Sequence, residues 1–259
     1  MKSEIVKEIR YAMRSGRVLI LLVSFLFFAL LTPVMLKTVL PMVLSSQFTA
    51  DTSPAAGGIM DMTQLDCIQN YMGDVFEIGT IIIAFTLCGL TASEIRGNTW
   101  VLSLCAGKQF AKMILAKFLV FGALVVIVSI LALLADYGYS GFLFSFQIGI
   151  FPILYSGLLQ GIYMLFLLSC LIMWGVLMKK PIPAGFCTLS TAFGLHFISS
   201  LLHFHEWTPS GLISHATELS PAFDSSLLIP LGMTILLVIS MIVIALARLK
   251  RMEWSTRNT

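Results

Sequence analysis

Four groups of residues in this sequence have types and spacings that could do chemistry. Gly138-Tyr139-Ser140-Gly141 sets a serine between glycines, and His196 is the one histidine placed within an apolar run that could serve it. A serine hydroxyl becomes a useful nucleophile only when a neighbouring base takes its proton, so Ser140 with His196 spells a candidate hydrolytic pair. His203, His205 and His215, with Glu206 and Glu218, offer nitrogen and oxygen donors to a metal. An His-x-His pair in a loop falls short of the three or four fixed ligands that structural and catalytic sites use, and reads as surface or interfacial histidines. Gly107-Lys108 is followed by Gln109, and Leu102 stands where a phosphate-binding loop needs glycine, so the chain does not bind ATP by that device. The fourth group is Glu94-Ile95-Arg96-Gly97-Asn98-Thr99 followed by Trp100-Val101-Leu102-Ser103-Leu104, a short greasy peg bracketed by charge.

The elements that position these groups are apolar. Hydrophobic residues make up 58% of the 259 and charged ones 11%, and the mean hydropathy is +0.95, far above a soluble domain. A helix needs about 20 residues to cross a hydrocarbon core about 30 Å thick. Six runs approach that length: Val18–Leu36, Val75–Ala92, Ile114–Ala135, Ile150–Met178, Ile182–Leu202 and Leu227–Leu246. Read as spans, they leave one of the 16 Lys and Arg, Lys37, on one side of the membrane and all the others on the opposite side. Cationic segments resist translocation, so both termini are expected in the cytoplasm. Asp51, Asp61, Asp66, Asp74, Asp136, Glu206, Glu218 and Asp224 fall in the outer segments. The net charge of +3 is distributed along the span flanks, beside anionic headgroups, and makes no nucleic-acid patch.

The first run reads as a retained helix, since no small-residue cleavage site follows it. Before it, within residues 1–17, an amphipathic helix over residues 3–14 is expected on the inner membrane surface, capped by Ser3. Ile5, Ile9 and Met13 would face lipid, and Lys7, Arg10 and Arg14 the headgroups. The outer connection of residues 37–74 is rich in Ser, Thr, Ala, Pro and Gly over Ser45–Gly58, which predicts irregular structure or a small cap. The outer segment of residues 203–226, with Trp207, Pro209, Pro221 and Phe223, predicts a re-entrant stretch. Lys179-Lys180-Pro181 requires a tight turn between antiparallel spans. Cys67 falls in an outer loop, Cys88, Cys105, Cys170 and Cys187 read as small buried hydrophobes, and no disulfide framework is implied. Gly157 and Gly161 predict close helix contact within the subunit. Glu77 and Lys117 lie near span ends and are expected to snorkel, leaving an interior without the carboxylates of an ion-driven carrier. No internal repeat supports an inverted-repeat carrier. The peg lies in residues 93–112, where a largely apolar stretch of five residues cannot cross a bilayer. It predicts a short cytoplasmic helix capped by Asn98 or Thr99 and stopped near Gly107. Trp100, Val101 and Leu104 would share a face for a partner's groove, with Glu94 and Arg96 at the rim.

Glu94, Gly97 and Thr99, the apolar stretch behind them and Lys117 at the start of the third span resemble the type 2 ABC-transporter permeases. In that family a Glu and then Gly-Thr open a coupling helix, and a basic residue and a Lys lead into the next span. The basic amphipathic N-terminal helix, six spans and inside termini fit that pattern over essentially the whole chain. Asn98 between Gly97 and Thr99, and Ala106-Gly107-Lys108 in place of a Pro-containing turn and Arg, depart from it and bear on the register of the coupling helix. The resemblance implies one transmembrane permease domain over residues 1–259 and an all-α membrane fold with an interface helix and a coupling helix. It implies no cofactor and no catalytic site in this chain; ATP and Mg would be bound by cytoplasmic ABC ATPase subunits. A second copy or a paralogue would complete the path, in a cell membrane of bacterial type, and family members export antibiotics, bacteriocin-like peptides, lipids or polysaccharides. The greasy interior favours an amphipathic or apolar cargo. The alternative is an intramembrane serine protease: Gly138-Tyr139-Ser140-Gly141 and six spans are similar to rhomboids, although that family keeps its histidine on the sixth core helix and not the fifth.

Overall fold

The computed structural model describes residues 2–47, 63–105, 107–202, 204, 207–219 and 225–252, and among them the chain is helical with no strand. Helix α1 covers Lys2–Arg14 and turns at Gly16, whose φ of +68° suits a residue without a Cβ, into α2, Arg17–Val34. Pro33, which lacks an amide donor, precedes a π turn over Met35–Val39, and α3, Leu40–Gln47, continues outward. The second span is built from α4, Gln64–Asp74, a π turn at Val75–Gly79, α5, Thr80–Leu87, and α6, Gly89–Arg96. Next come α7, Thr99–Cys105, and α8, Phe110–Phe144. Then follow α9, Ile150–Met178, α10, Pro181–Leu201, α11, Pro209–Thr217, and α12, Ser225–Lys250.

Six helical stretches are long and apolar enough to cross a membrane: Arg17–Val43, Gln64–Arg96, Phe110–Phe144, Ile150–Met178, Pro181–Leu201 and Leu227–Lys250. The bundle is organised round α9, which packs on α8, α12, α10, α11, α6 and α5. It has 72% of its span window buried, against 28% for the first and fifth spans and 22% for the sixth. Small residues let α9 approach its neighbours. A Cβ on Gly161 would lie 3.0 Å from Val126, and one on Gly157 would lie 3.1 Å from Leu133, so these glycines pack within the subunit as expected. Lys179 takes a left-handed φ of 57° and Pro181 opens α10, which makes the tight turn that the sequence requires.

Several expectations are corrected. The second span starts at Gln64, eleven residues before Val75, because Thr63 closes a capping box with Asp66 and the helix then runs on from it. The third is 35 residues long, about 52 Å at helical rise, and passes through Asp136 and Ser140 without a break. Ser140 is therefore helical and not in a loop. Cys67 lies on α4 and is buried, whereas Cys105 is exposed. Ser3 is inside α1 and not its cap, since the helix begins at Lys2. The residues 203–226 contain one described helix, α11, of nine residues. Residues 48–62 and His203, His205, Glu206, Pro221 and Phe223 lie outside the described residues.

Candidate functional site: an ionic key at the basic end of the bundle

Alternating spans bring α1, the α6–α8 segment, the Lys179–Lys180 turn and the last residues of α12 to one end, which carries most of the cations. Four elements meet there round one ammonium group. Lys117, two turns into α8, is 1% exposed; its Nζ donates to Glu8 Oε1 at 3.0 Å and Oε2 at 2.9 Å on α1, and to Glu94 Oε1 at 2.9 Å near the end of α6. The second oxygen of Glu94 accepts the indole N–H of Trp100 on α7. Lys108, in the α7–α8 turn, forms an ion pair with Glu4 on α1. Alone, each buried charge would be stranded; together Lys117, Glu8 and Glu94 satisfy one another largely away from water, while Lys108 stays partly exposed.

The sequence places these partners by helical spacing. Glu4, Glu8 and Ala12 recur every four residues and form the buried face of α1, while Val6, Ile9 and Met13 are exposed. Thus α1 is amphipathic with an acidic stripe turned inward and an apolar stripe turned out. Ile5, Ile9 and Met13 line one side of an apolar groove of about 340 Å³ closed on the other by Leu119, Val120, Ala123 and Leu124 of α8. Tyr11 stands between two cations, with Lys117 Nζ 5.6 Å and Arg17 Cζ 5.4 Å from its ring centroid. Two carboxylates share the Lys117 charge, and burial pushes the Glu8 carboxyl above its ordinary range while Lys117 pulls it back.

The peg is seated differently from the expectation. Trp100 is fully buried, with its ring 6.3 Å from Phe110, and so does not share an outward face with Val101 and Leu104, which are half-buried. Burial of its indole against the bundle and the hydrogen bond to Glu94 turn it inward. Arg96, Gly97 and Thr99 are exposed at the helix start. Asn98 adopts a φ of 52°, the left-handed turn that asparagine tolerates, and the Thr99 hydroxyl donates to the Glu94 carbonyl at 3.2 Å. Gly107, at a φ of +75°, ends the segment as expected. Lys117 does not snorkel; it is the centre of the key. Glu4 and Glu8 are not among the candidate residues of the sequence, although their four-residue spacing opposite Ile9 and Met13 is a legible signal.

The other candidates are not assembled. The Ser140 hydroxyl donates to the Tyr137 carbonyl one turn back on its own helix, at 3.2 Å, while His196 packs edge-on against Phe76 at 4.8 Å. His215 Nδ1 lies 3.7 Å from Glu218 Oε2, and among the described residues no group of three metal-binding side chains occurs.

At the opposite, acidic end lies a second polar cluster. Gln64, Cys67 and Tyr71 share the buried face of α4. The Gln64 amide donates to the Tyr137 carbonyl at 3.2 Å and its oxygen accepts from the Gln147 N–H at 2.9 Å. Thr32 on α2 donates to Asp74 at 2.9 Å. Asp136 on α8 is fully buried, with Oδ1 4.0 Å from the Cys67 thiol.

No protein-family model, curated protein or solved structure matches this chain.

Proposed function

We propose that the chain is the membrane-spanning permease subunit of an ATP-driven exporter, with both termini and α7 in the cytoplasm of a bacterial cell. The observation that supports this reading is the key itself. A seven-residue helix between two spans is tied by Trp100 and Glu94 to Lys117, and through Lys117 to α1. A force on α7 therefore moves the second span, the third span and the interface helix together, as a rigid-body switch requires. Such a seating has no purpose in a passive loop and suits a lever worked from the cytosol.

In this mechanism Trp100 anchors the lever and Glu94 positions it, while Arg96, Gly97, Thr99, Val101 and Leu104 meet a separate ATPase. ATP and Mg are held by that partner, and this chain supplies no catalytic group. The lightly buried first, fifth and sixth spans leave apolar flanks for lipid and for a second permease, identical or paralogous. Ile5, Ile9 and Met13 hold α1 against the membrane surface. The interior, lined by aliphatic and aromatic side chains with Ser129 and Gln160 bonded to each other at 3.2 Å, suits an amphipathic or apolar cargo such as a peptide antibiotic, bacteriocin, drug or lipid.

A double variant, Val101→Asp with Leu104→Asp, tests the assignment. It leaves Trp100 and the key intact, so the chain inserts and keeps its thermal stability, yet loses co-purification of a nucleotide-hydrolysing subunit from native membranes. Retention of that subunit by the variant, or transport by the purified chain alone, overturns the reading.

A further inference from the structure

The cluster at the acidic end holds a carboxyl group that no cation balances. Asp136 is 0% exposed, and its Oδ2 has no hydrogen-bond partner among the described residues. Among the described residues its other oxygen has one hydrogen-bonding contact, from the Cys67 thiol at 4.0 Å. One turn beyond Cys67, the Tyr71 hydroxyl is likewise buried and without a hydrogen-bond partner among the described residues. The charged and titratable groups that surround Asp136 are of the wrong sign or otherwise engaged. From α4 come Asp66, which caps Thr63, Cys67, Tyr71 and Asp74. Beyond α2, Lys37 donates to the Leu143 carbonyl at 2.6 Å and lies over Phe144. On α11, packed against α4, His215 faces Glu218. Tyr137 on its own helix donates to the Ile148 carbonyl at 2.9 Å, and α9 carries no charged side chain over Ile150–Met178. Among the described residues no ion pair includes Asp136.

An ionised carboxylate in such a place would forfeit its hydration with nothing in return, and a group so placed takes up a proton instead. A proton also needs no cavity, which fits a cluster packed between α2, α4 and α8. Two further observations mark the place as more than a packing fault. Asp74 is followed at once by the π turn Val75–Gly79, and Thr32, its hydrogen-bond partner, lies three residues before the π turn Met35–Val39. Turns of this kind interrupt the regular ladder and recur at working sites. Lys117 and Asp136 also stand nineteen positions apart on α8, about 28 Å along the helix, close to the hydrocarbon thickness of about 30 Å. The key and the acid cluster thus lie at opposite ends of the bundle on one rod, α8.

We propose that Asp136 is a proton-binding site: in the closed bundle its carboxyl is held in the acid form, with Asp74 as the neighbouring second acid. Any movement of α4 against α8 that admits water between them allows the proton to leave toward the acidic side. This site is separate from the ATPase reading, and it is measured on the purified chain without a partner.

Infrared spectroscopy of the full chain in lipid nanodiscs tests it. At neutral pH the wild-type protein shows a carboxylic-acid carbonyl band, which Asp136→Asn removes and Asp74→Asn leaves in place. Asn matches the acid form in shape, so that variant folds with wild-type thermal stability. Asp136→Glu keeps the acid and shifts the band, and this comparison decides the matter on its own if the Asn variant does not assemble. Absence of an acid band from the wild type at neutral pH, or a band untouched by both Asp136 variants, overturns the proposal.

Discussion

Lys117 shows how one residue can carry a fold's electrostatics. Its ammonium holds two glutamates from different elements, all three groups being screened from water. Removal of one partner from a buried ionic cluster leaves uncompensated charge, at a cost of about 3–5 kcal/mol. Lys117→Ala is therefore expected to lower the unfolding free energy in mild detergent by that amount, while Lys112→Ala on the exposed flank leaves it nearly unchanged. Glu8 gives a pH signature. Its carboxyl is raised in the folded chain, chiefly by burial. The stability it contributes is thus fully present below the ordinary glutamate range and is lost as pH rises through the raised value. Glu8→Gln should flatten that decline in a series of melting curves from acid to neutral pH. Sequence alone pointed to Glu94 and Lys117 but not to their meeting. The i, i+4 pattern of α1 is visible in the sequence, but its Lys and Arg residues give the helix a basic character that masks the inward stripe of Glu4 and Glu8. Charge counting cannot tell which polar residue is turned inward when the apolar face is wanted by lipid.

The elements were more legible than the contacts. Hydropathy located six spans because the bilayer demands a continuous apolar length, and the Lys179-Lys180-Pro181 turn followed from its shortness. What hydropathy missed are the extensions. Polar residues such as Gln64 and Asp136 read as outer segments, but they are helical and buried: Gln64 donates to the Tyr137 carbonyl across the α4–α8 seam, and the Cys67 thiol of α4 faces Asp136. The capping box at Thr63 begins the second span, so Thr63→Ala should cost about 1 kcal/mol of stability and fray the first turn in hydrogen exchange. Packing at Gly161 makes a sharper demand. A leucine there would press on Val126, which sits 3.0 Å from the site of a Cβ. Gly161→Leu is expected to destabilise the bundle by about 1–3 kcal/mol, read as a lowered melting temperature, and to loosen α9 from α8. Trp100 is legible in the sequence as the bulkiest apolar residue of the peg. Its direction was not readable, since a seven-residue helix offers too few turns to fix which side is apolar.

As a whole molecule the chain is a bundle with one well-buried central helix, α9, and three lightly buried spans at its flanks. Its two ends differ in kind: a paired ionic key joins four elements at the basic end, and an unpaired acid cluster closes the other. In the proposed mechanism the first arrangement transmits motion, because the Lys117, Glu8 and Glu94 charges are paired only while α1, α6 and α8 keep their mutual positions. The central claim is that α7 is the point at which a cytosolic ATPase pushes on this bundle. Cys105, exposed at the end of α7, provides a natural handle. A bifunctional thiol-to-amine cross-linker applied to native membranes should join this chain through Cys105 to a nucleotide-hydrolysing protein, with the adduct absent from Cys105→Ser. Recovery of uncross-linked chain under those conditions, or of an adduct whose partner binds no nucleotide, would contradict the account.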